Sequence, residues 1–156
     1  MDFELLYGIV KIILIATTPL VFAGIGELVT EKSGVLNLGV EGMMLVGAVT
    51  AFVTLVITGN YFLAFTFSIL SGIIMSSLFA FLVLILMSNQ IATGLALTIF
   101  GIGLSSMIGK NYIGTPIEGL SPWFFVIFSF VIVFFISYFF YKTKTGLILR
   151  AVGESH

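Results

Sequence analysis

Residues 26–42 read Gly26-Glu27-Leu28-Val29-Thr30-Glu31-Lys32-Ser33-Gly34-Val35-Leu36-Asn37-Leu38-Gly39-Val40-Glu41-Gly42. This stretch holds three of the seven acidic residues of the chain, and no charged residue follows it before Lys110. Charged side chains are costly in a lipid bilayer and usually face a cavity, a partner or water. We interpret the stretch as the place where two membrane helices meet the inner membrane surface, beside a transport pathway.

The composition indicates an integral membrane protein. Of the 156 residues, 60% are hydrophobic and 8% are charged, whereas a soluble domain carries about 25% charged residues. Long, continuous apolar runs favour helices over a barrel, so we predict an all-α, polytopic helical membrane protein. The chain has no cysteine, which excludes disulfides and thiolate metal sites, and its net charge of −1 comes without the basic run that nucleic-acid binding would need.

Turn residues divide the apolar sequence into five predicted membrane helices within one transmembrane domain, residues 1–156. Turn signals at Thr58-Gly59-Asn60 and Ser88-Asn89-Gln90 interrupt the uncharged run of residues 42–109. Since one span needs about 20 residues, we place the helices near residues 5–26, 35–57, 61–87, 91–108 and 123–141. The fourth is either a full span or a re-entrant one. Small residues at four-residue spacing predict close helix packing. There are two such stripes: one in the third helix, Ser68, Gly72, Ser76 and Ala80, and one in the fourth helix, Gly101, Ser105 and Gly109.

The basic residues predict the orientation. Lys142, Lys144 and Arg150 are half of the six basic residues and follow the fifth span, which places residues 142–156 in the cytoplasm. Counting back through five spans places the polar stretch inside and Met1 outside. Residues 146–154 form a short amphipathic segment, which either lies on the membrane surface or docks into a groove of a partner. The plain alternative is that the basic tail only determines topology.

Three polar residues are candidates for the translocation pathway: Glu27, Asn37 and Glu41. Asn37 and Glu41 are four residues apart, so we expect them to share one face of the second helix. The alternative is that Glu27 and Glu31 are solvated loop residues and that Glu41 pairs with Lys32. We expect no catalytic residue, metal site or cofactor, because the single histidine, His156, is the last residue and leaves no partner set for a triad or a histidine metal site.

Two separated stretches resemble one family of transport proteins. Residues 18–44, which read Thr-Pro-Leu-Val-Phe-Ala-Gly-Ile-Gly-Glu-Leu-Val-Thr-Glu-Lys-Ser-Gly-Val-Leu-Asn-Leu-Gly-Val-Glu-Gly-Met-Met, and residues 145–154, which read Thr-Gly-Leu-Ile-Leu-Arg-Ala-Val-Gly-Glu, are similar to the permeases of bacterial ABC importers for simple sugars, nucleosides and branched-chain amino acids. Residues 90–97 also fit. The resemblance is strongest to the nucleoside and simple-sugar branch.

The resemblance implies a permease subunit that moves a nucleoside or simple sugar across the bacterial cytoplasmic membrane. Its implied partners are a second permease subunit, an ABC ATPase subunit that carries the ATP hydrolysis, an extracytoplasmic solute-binding lipoprotein and membrane lipid. The implied ATPase-coupling residues are Gly146, Leu147, Leu149, Arg150, Gly153 and Glu154. Permeases of this family are substantially longer and continue with Asn-Pro where this chain has Ser155-His156, so we expect an N-terminal half.

Two other classes of protein are compatible with the residues. One is a small proton-coupled secondary transporter that uses Glu41 as its proton site. The other is a non-transporting membrane fragment or assembly factor.

Overall fold

A computed structural model describes residues 3–154, so His156 lies outside the described residues. The described chain is helical with short connections. The helices are α1 (Phe3–Lys32), α2 (Val40–Thr58), α3 (Tyr61–Ala80), α4 (Gln90–Gly109), α5 (Pro122–Lys142) and α6 (Lys144–Gly153). A π-helical turn, Phe81–Ile85, extends α3, and a 3-10 turn, Lys110–Tyr112, extends α4. The prediction of an all-α polytopic fold is confirmed.

Five helical segments of the described chain are long and apolar enough to cross a membrane, as predicted. They are Phe3–Lys32, Val40–Thr58, Tyr61–Ile85, Gln90–Tyr112 and Pro122–Lys142. The fourth helix, α4, has 20 residues, which corresponds to about 30 Å at 1.5 Å per residue and to the thickness of the hydrocarbon core. A full span is therefore the better description of its length.

The first helix is longer than predicted. The sequence places its end near Gly26, but α1 continues to Lys32 and so includes Glu27 and Glu31. Polar side chains do not interrupt a helix whose backbone bonds stay intact, and the helix ends only where Gly34 takes a positive φ of 84°. There Gly34 N donates to Glu31 O and Val35 N donates to Thr30 O, both at 3.0 Å. These two bonds are the Schellman pattern that glycine favours at helix ends.

The second helix begins later than predicted, at Val40 rather than near residue 35. Asn37 therefore lies in the connection before α2, and the expectation that Asn37 and Glu41 share a helix face is wrong. The physical reason is that other groups already satisfy the backbone of the connection. Its polar atoms bond to side chains of α4 and of Asn37 itself, so this segment does not need helical bonds.

The described chain divides into two compact units. One contains α2, α3 and α4, and glycines set the approach of α2 to α4. A Cβ added to Gly101 would lie 2.5 Å from Gly42 Cα, and a Cβ added to Gly42 would lie 2.6 Å from Leu97 O. Gly109 would place an added Cβ 3.3 Å from Val49, so Gly101 and Gly109 of the small-residue stripe of α4 both pack closely, as predicted. In the stripe of α3, Ser68 Oγ donates to Gly47 O at 2.9 Å, but Gly72 faces open space.

The other unit contains α1, α5 and α6. Its interior between α1 and α5 includes an aromatic pair, Phe22 and Phe128, whose ring centroids are 6.1 Å apart. Thr18 and Ser129 are buried, and both of their hydroxyl groups are hydrogen-bonded. Thr18 Oγ1 donates to Leu14 O and Ser129 Oγ donates to Val126 O, both at 2.7 Å. This unit carries the short helix α6 at the end of α5.

Candidate functional site

A single residue, Thr143, joins α5 to α6. It caps the end of α5 through its Oγ1 atom, which lies 2.6 Å from Phe139 O, and it caps the start of α6 by accepting a hydrogen bond from Gly146 N at 3.1 Å. The sequence places the fifth helix near residues 123–141 and the amphipathic segment at residues 146–154, whereas the two helices leave only Thr143 between them. The hydrogen bonds of Thr143 to both helices therefore define the angle between α5 and α6.

Two glycines hold α6 against the ends of the membrane helices of its unit. A Cβ at Gly146 would collide with Phe139 O and would lie 2.8 Å from Phe140 Cα. A Cβ at Gly153 would collide with Lys32 O and would lie 3.0 Å from Gly34 N. Only glycine permits backbone contact this close, so α6 rests on α5 at its first turn and on the end of α1 at its last turn.

Arg150 points toward the interior of its unit. Its Cζ atom lies 4.9 Å from the centroid of the Tyr141 ring, which is the geometry of a cation–π contact. Its Nε atom is buried and has no hydrogen-bond partner among the described residues. Of the two charged residues in the predicted coupling set, Arg150 is half-buried and Glu154 is exposed.

The outward side of α6 is apolar. Leu147 is exposed, Ile148 is 63% exposed, and Leu149 is half-buried. An open groove of about 270 Å³ runs along this helix, and it is lined by Ser33, Thr145, Ile148, Leu149 and Val152. The predicted coupling set omits Ile148 and Val152. Their spacing from residue 145 is three and seven residues, and this helical period is the signal that identifies them.

The connection before α2 is held by side chains of α4. Leu36 N donates to Gln90 Oε1 at 2.8 Å, and Thr98 Oγ1 donates to Leu38 O at 2.9 Å. Asn37 is buried, and its Oδ1 atom accepts a hydrogen bond from Gly39 N at 2.9 Å. This non-helical segment is thus satisfied by protein groups, which is the condition for irregular backbone at membrane depth. Sequence reasoning missed Gln90 and Thr98, although polar residues in an otherwise apolar helix are a usable signal.

The two candidate carboxylates are placed differently from Asn37. Glu41 lies in the first turn of α2 and is exposed on the described chain. Glu27 lies in α1 and is half-buried. Asn37 and Glu41 belong to the unit of α2, α3 and α4, whereas Glu27 belongs to the other unit. Among the described residues, no group of three or more acidic, histidine or cysteine side chains could hold a metal ion.

The chain is similar to several transport proteins. It is 38% identical to the putative glucose ABC transporter permease protein TsgC13 of Haloferax volcanii, over 94% of this chain and 52% of that protein. It is 30% identical to the nucleoside ABC transporter permease protein NupC of Lactococcus lactis subsp. cremoris, over 94% of this chain and 56% of that protein. It is 26% identical to the guanosine ABC transporter permease protein NupQ of Bacillus subtilis, over 97% and 57%.

The chain spans about half the length of these curated relatives. No solved structure matches it. Residues 9–156 match the family described as branched-chain amino acid transport system / permease component. Because this match covers nearly the whole chain and agrees with the five membrane-spanning helices, the protein belongs to that family of permease components.

Proposed function

We propose that the chain acts in the permease of an ABC importer that moves a nucleoside or simple sugar across the cell membrane. The proposal is supported by the family and by relatives described as glucose, nucleoside and guanosine permeases. In this proposal, a second permease subunit completes the path and a solute-binding lipoprotein delivers the substrate. A separate ABC ATPase subunit hydrolyses ATP, and the bacterial cytoplasmic membrane is the site of action.

The observation that carries the proposal is the attachment of α6. Movement driven by ATP on another chain must reach the membrane helices through a short element that does not bend independently of them. The cap at Thr143 and the close packing of Gly146 against α5 meet this requirement. The contact of Gly153 with the end of α1 connects the same element to a second membrane helix. A displacement of α6 is therefore transmitted to α1 and α5 together.

The ATPase is proposed to bind the groove beside α6. Its lining presents the apolar side chains of Ile148, Leu149 and Val152, with hydroxyls from Ser33 and Thr145. An amphipathic helix that offers one apolar side is a common recognition element for a groove or helix of a partner. Arg150 does not touch the partner in this proposal. It stabilises the position of α6 through its contact with the Tyr141 ring of α5.

The pathway is proposed to involve Glu27, Asn37 and Glu41 in different ways. Asn37 stabilises the entry to α2 through its bond to Gly39 N, so its part is to position the segment. Glu41 is exposed on α2 and is available to a cavity or a partner helix. A carboxylate on an apolar membrane helix almost always faces such a place rather than lipid.

The test of coupling compares Ile148→Asp with Ala151→Asp in cells that also express the ATPase. Both variants add one negative charge to an exposed position of α6, but only Ile148 lines the groove. We expect Ile148→Asp to reduce co-purification of the ATPase about tenfold or more, because a charge in an apolar contact must be desolvated. Ala151→Asp should retain the ATPase. Retention of the ATPase by both variants, with ATPase activity still stimulated by transport, would show that α6 is not the docking element.

A further inference from the structure

The unit of α1, α5 and α6 contains a cavity of about 170 Å³ whose lining changes character along its length. On α1 the lining residues run from Ile25 through Leu28 to Lys32, and on α5 they run from Val133 and Ile136 past the hydroxyl of Ser137 to Tyr141. Both helices therefore present apolar side chains toward the middle of the span and a polar or charged one at its end. The stretch from Val133 to Tyr141 is about 12 Å long at 1.5 Å per residue.

The polar end of this cavity is positively charged. Lys32 and Arg150 both line it, and no acidic residue is among the described residues that do. The guanidinium of Arg150 lies over the Tyr141 ring, and its Nε atom is buried without a hydrogen-bond partner among the described residues. A buried cationic donor without a partner is unfavourable, and an oxyanion is the group that best satisfies a guanidinium.

We propose that this cavity is a binding site for an acidic membrane phospholipid, with its phosphate beside Lys32 and Arg150 and an acyl or isoprenoid chain along Ile25, Val133 and Ile136. The two cationic side chains at one end of the cavity favour an anionic headgroup. The apolar side chains along the rest of the cavity favour a lipid chain, which a free ion lacks. Tyr, Lys and Arg at the end of a span are also the residues found at the headgroup level of membranes. The proposal does not depend on the transported substrate.

A bound lipid would connect three elements of the unit at once. Its phosphate would lie against α6 through Arg150 and against α1 through Lys32, while its chain would fill the space beside α5. The lipid would therefore stabilise the position of α6 on the ends of α1 and α5. Occupancy by acidic lipid is expected to strengthen the attachment of α6 beyond its glycine contacts.

The experiment measures lipid retention by native mass spectrometry of the detergent-purified chain, with phosphatidylglycerol and phosphatidylcholine of the same acyl chains. We expect a preference for phosphatidylglycerol. Lys32→Gln and Arg150→Gln should each lower that preference about fivefold, the factor expected for one basic side chain at an acidic membrane surface. Lys144→Gln is the matched control, because Lys144 is exposed at the start of α6 and does not line the cavity.

Two further measurements separate the lipid from other sources of the same effect. Ile136→Phe fills the apolar part of the cavity without changing charge, and it should lower retention of phosphatidylglycerol. Glycerol phosphate and inorganic phosphate should not compete with the lipid at equal concentration. The proposal is overturned if the wild-type chain has no preference for the acidic lipid, if Lys144→Gln lowers retention as much as Arg150→Gln, if Ile136→Phe has no effect, or if inorganic phosphate competes equally.

Discussion

Asn37 is buried in a connection between two membrane helices. Burial of this polar side chain is tolerated because its Oδ1 atom accepts a hydrogen bond from Gly39 N. Its Nδ2 atom reaches only the Met43 sulfur, at 3.8 Å, which is a weak acceptor. Both of these hydrogen bonds link Asn37 to groups within six residues of it. Of the two candidate pathway residues in this unit, Asn37 is buried and Glu41 is exposed.

At Glu41 we predict a loss of transport that is separate from a loss of folding. In the assembled importer, Glu41→Gln should lower substrate uptake per molecule of protein about tenfold, because we propose that this charge on an apolar span faces the pathway or a partner helix. Glu31→Gln removes an exposed charge from the last turn of α1 and is the control. Uptake assays normalised to protein amount in membranes measure the effect. Equal, wild-type uptake by both variants would mean that Glu41 is only a solvated residue that favours the start of α2.

Arg150 illustrates what the sequence does not determine at this scale. A basic residue in a tail of Lys and Arg is expected to be solvated, and an acidic residue four positions later suggests an ion pair along the helix. The side chain turns inward because Gly146 brings α6 so close to α5 that Tyr141 lies beneath it. This close approach depends on tertiary packing, which a local pattern does not encode.

At the scale of the elements, α2 and α4 approach each other closely where Gly42 faces Gly101, so that neither position has room for a Cβ. In lipid there is little hydrophobic gain from bringing helices together, so dispersion contacts between close backbones and hydrogen bonds such as that of Thr98 to Leu38 O stabilise the pair. The packing of α4 on α2 therefore positions the whole connection before α2.

We predict opposite effects of alanine at two glycines of α4. Gly101→Ala should lower the free energy of unfolding by about 1–3 kcal/mol, because its Cβ would be forced against Gly42 in a packed crossing. A Cβ added at Gly103 would meet open space. Gly103→Ala should therefore leave the free energy of unfolding unchanged or raise it by up to about 1 kcal/mol, because alanine has the higher helix propensity. Thermal unfolding of the purified protein in detergent measures both. Equal stability of the two variants would contradict the close contact of α2 with α4.

The existence of the helices could be predicted from the sequence, but two of their ends could not. Hydropathy and turn signals predict five spans because one apolar run of about 20 residues fills the bilayer. The polar residues from Glu27 to Lys32 look like a loop, yet they are helical, since a helix that extends beyond the hydrocarbon core tolerates charge. With 30 residues, α1 is about 45 Å long and exceeds that core by about 15 Å.

For the molecule as a whole, the distribution of charge gives the orientation that the helices alone do not. Lys142, Lys144 and Arg150 follow α5, and Lys32 ends α1. With five spans, these four of the six basic residues would fall on one side of the membrane, which we predict to be the cytoplasmic side. The same prediction places the connections after α2 and after α4 outside and the connection after α3 inside.

Single cysteines test this orientation without a modified background, because the chain has no cysteine of its own. We predict that Asn60→Cys and Thr115→Cys react with a membrane-impermeant maleimide in intact cells, since both positions are exposed in connections placed outside. For the inner connection, Met87 is a better site than Ser88. It is 83% exposed, whereas Ser88 Oγ is bonded to Leu82 O at 2.7 Å. Met87→Cys should react only after permeabilisation, which also serves as the control that the thiol is accessible. Reaction of Met87→Cys in intact cells, with protection of the other two, would invert the orientation and move α6 away from any cytoplasmic ATPase.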